Sequence, residues 1–178
     1  MVILSFSIAA MRKLANKDKL PKPKNAGLKE IEGACVCGAI VVAIVYPAFW
    51  AWHDHSKATR HAHGTAYATF VGCWKSRVRV AKGEQLLTRF ENETTGTARS
   101  FCARCGTPVF YERPHAPKWV NIPRSLFSAR TGREPRYHIG LAEAAEWEYR
   151  GEALKPLKGY PGVMVERPRK KKTTLLPD

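Results

Sequence analysis

Histidine and cysteine side chains are concentrated in three short parts of the chain, where they could bind a metal ion. The stretch HDHSKATRHAHG, residues 53–64, holds four histidines and an aspartate. Four of the five cysteines form two tight pairs, in the segments GACVCG and FCARCG. Imidazole, carboxylate and thiolate groups are the usual protein ligands of zinc and iron. The sequence therefore raises two separate questions, one about the cysteine pairs and one about the histidine-rich stretch.

The cysteine pairs predict a closed structural zinc site. The first pair has one intervening residue, and on an extended segment both side chains would point to the same face. The second pair has two intervening residues, and a glycine follows each pair, which permits a tight backbone turn. Four thiolates from two distant segments form the tetrahedral ligand set of a structural zinc ion. The predicted ligands are Cys35, Cys37, Cys102 and Cys105.

Composition restricts the class of protein. The 178 residues suit one domain, and a formal net charge of +15 favours contact with polyanions or acidic small molecules. An odd number of cysteines is a poor disulfide framework, so we expect a reduced protein of the cytoplasm, with the nucleus as the alternative. Cys73 is expected to be a small core residue in a strand. No stretch is long enough for a membrane span, and Met11 is an alternative start.

Short strands separated by glycine and proline predict a mainly β domain. The segment 138–151 is compatible with a short helix or an irregular strand. We expect a flexible basic lead-in at 1–28, a domain at 29–163 and a basic tail at 164–178. The predicted strands lie within residues 39–46, 65–74, 76–83, 84–92, 107–113 and 118–123.

These motifs resemble those of the glutathione-dependent formaldehyde-activating enzymes, the GFA or CENP-V/GFA domain family. That family shows G-x-C-x-C-G, then a C-H-C-x-x-C-R-K-A-H-G-like stretch, then R-x-F-C-x-x-C-G. Here the outer motifs read GACVCG and RSFCARCG, in the same order, and PRYHIGLAEAAEW resembles the family's closing segment. The likeness extends from about Gly33 to Pro161.

The resemblance implies an Mss4-like, β-tent fold with a structural zinc. It also implies a second, catalytic zinc held by the three cysteines of the middle motif, near bound glutathione. The implied activity is that of a carbon–sulfur lyase, which joins or releases an aldehyde carbon at the glutathione sulfur. Zinc would favour the thiolate nucleophile or polarise the carbonyl group.

The middle motif of this chain departs from the family pattern. An alignment without gaps places the three cysteine positions on Asp54, Ser56 and Thr59, while His55, Arg60, His63 and Gly64 still fit. Hydroxyl groups are poor zinc ligands at neutral pH, and one carboxylate does not hold zinc well alone. We therefore expect that a zinc bound by three thiolates is absent from this stretch, which we interpret as a loop beside a cleft.

Three interpretations of the histidine-rich stretch remain open. In the first, the site is lost and the loop is only polar. In the second, a different metal is held by the histidines, with or without Asp54. In the third, catalysis needs no metal: a histidine is the general base, with His55, His63 and Asp54 as the candidate catalytic residues. The candidate ligands of the second metal are His53, His55, His61 and His63.

Two functions follow from these interpretations. The first is a GFA-like enzyme, or a degenerate descendant, acting on a thiol–aldehyde adduct such as one of glutathione, or on a related small carbonyl compound. Arg60 and Arg99 are its candidate carboxylate-binding residues. The second is a non-catalytic, zinc-stabilised module that contacts nucleic acid or cytoskeleton through basic tails. In that case RPRKKK near the C-terminus is a nuclear address or an anionic-surface anchor.

Overall fold

The computed structural model describes residues 28–148, 154–160 and 162–166. Within these ranges the chain forms twelve strands, one α-helix and four short 3₁₀ turns, so the prediction of a mainly β domain is confirmed. The helix is α1 (Lys57–His63). The strands are β1 (Glu30–Ala34), β2 (Val41–Val45), β3 (Trp50–Asp54), β4 (Ala68–Trp74), β5 (Val78–Lys82), β6 (Leu87–Asn92), β7 (Thr97–Cys102), β8 (Pro108–Glu112), β9 (Trp119–Pro123), β10 (Tyr137–Ile139), β11 (Leu154–Pro156) and β12 (Met164–Glu166).

The first sheet has three antiparallel strands in the order β1-β2-β5. β1 alternates exposed and buried residues, as expected when one face of a strand packs on the core. At Gly33 the packing is so close that a Cβ atom would lie 2.8 Å from the Phe127 ring and 2.9 Å from the carbonyl oxygen of Leu126. This close approach fixes β1 against the segment after β9 and directs the chain toward Cys35.

The second sheet has nine strands in the order β11-β12-β10-β3-β4-β9-β8-β7-β6. β3 is an interior strand of this sheet, parallel to β10 and antiparallel to β4. The register places His53 opposite His138 on one side and opposite Thr69 on the other. Further along the sheet, Arg99 of β7 lies opposite Tyr111 of β8. The register of this sheet therefore determines which side chains form the candidate site.

The main core is built from β-branched residues contributed by both sheets. These residues pack well on pleated strands, and full burial of one such side chain contributes about 1.5–3 kcal/mol. Its most deeply buried members include Ile40, Val42, Ile44, Val71, Val78, Val109, Val120 and Ile122. Cys73 of β4 is in the same core, which confirms its prediction as a buried strand residue.

The interpretation of residues 53–64 as a loop is wrong. Residues up to Asp54 complete β3, and Lys57–His63 form α1. The Ser56 hydroxyl accepts a hydrogen bond from the Thr59 backbone N–H, which is the usual N-cap contact. Gly64 ends the helix in the left-handed conformation, with a φ of 60°. Both capping residues belong to the stretch itself, so its local sequence is sufficient to define a short helix.

All six segments predicted to contain strands do so, with boundaries shifted by a few residues. In the predicted segment 84–92, residues 84–86 form a 3₁₀ turn and β6 follows it. The segment that starts at residue 138 follows the strand alternative, since β10 is followed by a 3₁₀ turn at Leu141–Glu143. β12 lies within the predicted tail and pairs with β10. Most of the lead-in, including Met11, and the tail from residue 167 lie outside the described residues.

Candidate functional site

The four predicted zinc ligands converge in space. One ligand atom from each of Cys35, Cys37, Cys102 and Cys105 lies within 4.8 Å of all the others. The Sγ atoms of Cys35 and Cys37 are 3.5 Å apart, and those of Cys37 and Cys102 are 3.9 Å apart. A tetrahedral zinc with Zn–S bonds of about 2.3 Å requires sulfur separations of about 3.5–4 Å. The cluster could therefore hold a zinc ion.

Two glycine turns direct these thiols toward one point. Gly38 and Gly106 have φ values of 68° and 72°, a conformation that side chains with a Cβ rarely adopt. The N–H of Gly38 donates to the Cys35 carbonyl, and the N–H of Gly106 donates to the Cys102 carbonyl. The two turns have similar geometry although they adjoin strands of different sheets. Because each turn needs a residue with positive φ directly after its second cysteine, a glycine follows each cysteine pair in the sequence.

The thiols of the cysteine cluster differ in pKa. Hydrogen bonds from the side chain and backbone of Thr107 lower the pKa of Cys105 to about 5. The Ala39 backbone acts to lower the pKa of Cys37, but burial and the neighbouring thiols raise it to about 11. Cys105 therefore favours the thiolate form at neutral pH, and the thiolate, not the thiol, is the form that binds a metal ion.

A second group of side chains lies on an aromatic floor formed by Trp52, Phe70 and Tyr111. These residues form a second buried cluster, separate from the main core, with ring centroids 6.0 Å apart for Trp52 and Phe70 and 5.7 Å apart for Phe70 and Tyr111. The His63 ring packs edge-on against Phe70 at 5.3 Å. α1 therefore lies next to this floor and brings its polar side chains there.

Arg99, a predicted carboxylate-binding residue, lies on this floor. Its guanidinium carbon is 3.9 Å from the centroid of the Tyr111 ring, a cation–π contact. Nη2 donates to the Thr59 hydroxyl at 3.2 Å, and Nη1 donates to Nε2 of His63 at 3.5 Å. Burial lowers the pKa of Arg99, which still remains a cation near neutral pH. The structure thus joins Arg99, Thr59 and His63 into one cluster.

Arg113 is a functional candidate that the sequence analysis missed. Its guanidinium lies over both Trp52 and Tyr111, at 5.5 and 5.3 Å from their centroids. Nη2 is 3.7 Å from Oδ2 of Asp54, a carboxylate that is almost completely buried. A signal was present in the sequence, because Arg113 follows Tyr111 by two residues and the two therefore share a face of an extended segment.

His63 is neutral in this environment. Burial, and then repulsion from Arg99, lowers its pKa from 6.5 to about 4, although Asp54 acts in the opposite direction. A neutral imidazole can accept the Arg99 hydrogen bond through Nε2. A base with such a low pKa is a weak proton acceptor at pH 7.

His55 and Asp54 are adjacent in sequence, but they belong to different networks. His55 is fully buried; its Nδ1 lies 2.6 Å from Oε1 of Glu148, and its Nε2 lies 2.8 Å from Nδ1 of His138. The His138 ring stacks on His55 and also contacts His53. Such a network ties the start of α1 to the segment that follows β10. Neither ring nitrogen of His55 is available to a substrate in this arrangement.

The remaining predicted residues have other surroundings. Nδ1 of His53 hydrogen-bonds the Thr69 hydroxyl at 2.9 Å, and His61 is exposed on α1. Arg60 donates to the Glu143 carbonyl oxygen at 2.8 Å. His53 and His55 thus share contacts with His138, whereas His61 and His63 have separate surroundings on α1. Among the described residues, the four cysteines are the one group of three or more potential ligands whose ligand atoms all lie within 4.8 Å of one another.

No helix in the described part of the chain is both long and apolar enough to cross a membrane.

The fold and the cysteine cluster define a mainly β protein whose two outer motifs meet in a potential zinc site. The family model for glutathione-dependent formaldehyde-activating enzymes matches residues 30–143, which is more than half of the 178-residue chain. The chain therefore belongs to this family, in agreement with the fold expected from the motifs.

Comparison with solved structures finds similarity to the crystal structure of a Rhodobacter sphaeroides protein. The two chains are 21% identical, with a TM-score of 0.48, and the match covers 56% of this chain and 89% of that chain. Comparison with curated proteins gives no match.

Proposed function

We propose that this chain is a GFA-family protein with a single zinc ion, bound by Cys35, Cys37, Cys102 and Cys105. Its second site would act on a thiol–aldehyde adduct, such as one of glutathione, or on a related small carbonyl compound. That site would work without the family's zinc bound by three thiolates. The observation that carries the proposal is that the Asp54 and Thr59 side chains are already engaged by guanidinium groups.

The cysteine cluster supports a structural role for its zinc. Its ligands come from the loop after β1, from the last residue of β7 and from the turn that follows β7, so a bound ion would join the small sheet to the large one. Four thiolates fill the coordination shell of zinc and leave no position for a substrate. Any chemistry of the protein would therefore occur elsewhere.

The side chains at the expected positions of the catalytic cysteines do not fit a zinc site. Ser56 is the N-cap of α1, Thr59 accepts from Arg99, and Asp54 accepts from the Ser56 backbone N–H at 3.0 Å. Each of these three side chains thus has a role within the protein, and two of the three are neutral hydroxyl groups. These contacts favour loss of the family's second zinc over its retention.

The aromatic floor could still bind an acidic substrate. Addition of a thiol to an aldehyde forms a carbon–sulfur bond, opens the carbonyl π bond and moves the thiol proton to the oxygen; release reverses these changes. His63 is the titratable side chain of the cluster that could transfer this proton, and its low pKa predicts slow transfer. His55 would position α1 rather than contact the substrate, because it is buried against Glu148. We therefore expect weak lyase activity.

A non-catalytic binding module is the second candidate, because the same engaged side chains also suit a scaffold without chemistry. In that case the basic tails, most of whose residues lie outside the described ranges, would contact nucleic acid or cytoskeleton. Affinity for a polyanion should then fall steeply with added salt. The cytoplasmic location, with the nucleus as the alternative, remains a prediction.

Metal analysis of purified protein combined with an assay tests the proposal. We expect about one zinc per chain, lost in Cys102→Ser and retained in Thr59→Val, together with slow turnover of S-hydroxymethylglutathione. A second equivalent of metal would contradict loss of the second zinc, and its disappearance in His53→Ala would favour a replacement metal site. If turnover is undetectable and salt-sensitive polyanion binding is found, the binding module is the better description.

A further inference from the structure

We propose that Arg113 and Arg99 replace the missing metal as the cationic element of the second site, and that together they bind the carboxylate of a small monoanionic ligand. This deepens the proposed function, since it names the chemical group that the site would recognise. It does not require turnover, because it concerns binding alone.

The first argument is the hydrogen bonding of Arg113. The Nε and Nη2 atoms are buried, and neither has a hydrogen-bond partner among the described residues. The Asp54 oxygen is 3.7 Å from Nη2, which is close enough for an ion pair but long for a hydrogen bond. Buried N–H donors without an acceptor are costly, and they indicate that an acceptor belongs there.

The second argument is the charge of the cluster. Asp54 supplies one negative charge, Arg99 and Arg113 supply two positive charges, and His63 is neutral at pH 7. Glu112, the next residue before Arg113, forms ion pairs with Lys75 and Arg89 instead. Among the described residues of the cluster, one positive charge is therefore left uncompensated on a partly buried surface, and a monoanion would compensate it.

The third argument is the orientation of the two guanidinium groups. Both lie over the ring of Tyr111, and Arg113 also lies over Trp52. Contact through the planar face leaves the N–H edge of Arg113 free to donate, and such an edge matches a carboxylate in a two-point contact. Arg99, whose Nη atoms donate to Thr59 and His63, supplies the second positive charge. The aromatic floor thus holds the donors in place before a ligand arrives, which lowers the entropic cost of binding.

These features also explain why a metal is disfavoured. A divalent cation placed beside Asp54 would be repelled by Arg113, whose guanidinium already neutralises that carboxylate. The thiolates that outweigh the zinc charge elsewhere in the family are replaced here by one carboxylate and two neutral hydroxyls. An arginine that remains charged at all physiological pH values is therefore the resident cation.

The test is a titration of the full-length, zinc-loaded protein with acetate at constant ionic strength, using chloride as the reference anion. The arginine Nε–H signals are followed by NMR. We expect saturable shifts of the Arg99 and Arg113 signals, at least tenfold weaker binding in Arg113→Gln, and unchanged binding in Arg130→Gln, an exposed arginine outside the cluster. Arg113→Lys keeps the charge without the planar fork, so it should bind acetate with intermediate affinity.

Three outcomes would overturn the inference. These are shifts that do not saturate, shifts of equal size at exposed arginines, and tighter binding of the dianion methyl phosphate than of acetate. Its failure is distinguishable from failure of the proposed function. Acetate binding without lyase turnover leaves the carboxylate site intact and removes only the catalytic proposal. Turnover without acetate binding would support the catalytic proposal and contradict the carboxylate site.

Discussion

The guanidinium of Arg99 lies 3.9 Å from the centre of the Tyr111 ring, its direct neighbour across the β7–β8 pair. Arg113 contacts the same ring, so Tyr111 holds two like charges in one place. This arrangement is stable because Asp54 lies beside Arg113 and because each guanidinium gains a cation–π contact. The aromatic ring is thus the structural basis of the second site.

Replacement of Tyr111 should therefore destabilise the protein through loss of the ring, not of the hydroxyl. We expect Tyr111→Leu to lower the free energy of unfolding by about 2–4 kcal/mol, from the lost ring packing and the two lost cation–π contacts. Tyr111→Phe keeps the ring and should cost less than about 1 kcal/mol. Urea unfolding measures both values, and equal losses in the two variants would contradict this role of the ring.

His63 should make stability depend on pH in a defined window. Its pKa in the folded protein is about 4, below the ordinary value of 6.5, so the unfolded chain binds the proton first as pH falls. The folded state therefore loses stability between about pH 6.5 and pH 4. Because the side chain is partly exposed, solvent screening limits this loss to about 1–2 kcal/mol.

Comparison of variants isolates the His63 contribution to this pH dependence. The fall in unfolding free energy from pH 7 to pH 4.5 should be smaller in His63→Gln than in the native chain, and unchanged in His61→Gln, which alters an exposed residue of the same helix. A native-like pH dependence in His63→Gln would show that other groups are responsible.

The cysteine site could be predicted because its determinants are local. A glycine after each pair makes the turn, and the pair spacing then sets the direction of the thiols. The helix α1 was missed even though Ser56 and Gly64 are ordinary capping residues. The four histidines of that stretch suggested a metal-binding loop, whereas the capping residues determine the local structure.

The second site could be predicted only in part, because it depends on pairings that are distant in sequence. Arg99 was identified from its motif, but its contact with Thr59 requires α1 to pack beside β7. The role of Arg113 depends on the register that brings β8 near Asp54. The Glu148 contact with His55 spans most of the domain, and no spacing rule relates these two positions.

The buried pair of His55 and Glu148 should contribute strongly to stability. Glu148→Ala removes the carboxylate that lies 2.6 Å from Nδ1 of His55, and we expect a loss of about 2–4 kcal/mol. Glu148→Gln retains an acceptor oxygen at the same position, so its cost should be about half as large. Thermal unfolding of both variants, with exposed Glu146→Ala as the control, measures the difference. Equal stability of Glu148→Ala and the native chain would remove the structural role assigned to His55.

Removal of the proposed zinc ion should weaken the contact between the two sheets more than it destabilises either sheet alone. The cluster joins the loop after β1 to the end of β7, and Ile40 of the core donates its backbone N–H to the Cys35 sulfur at 3.2 Å. Without a cation, thiolates at this separation repel each other and partly buried thiols must be protonated. Structural zinc sites have binding free energies on the order of 10 kcal/mol, so we expect chelation to cost at least about 3 kcal/mol of stability. Hydrogen exchange should then rise first in β1 and β7.

Cys102→Ser should reproduce the effect, whereas Cys73→Ala removes a core thiol outside the cluster and should keep the metal. Full stability after chelation, with metal loss verified, would contradict a structural role for this site.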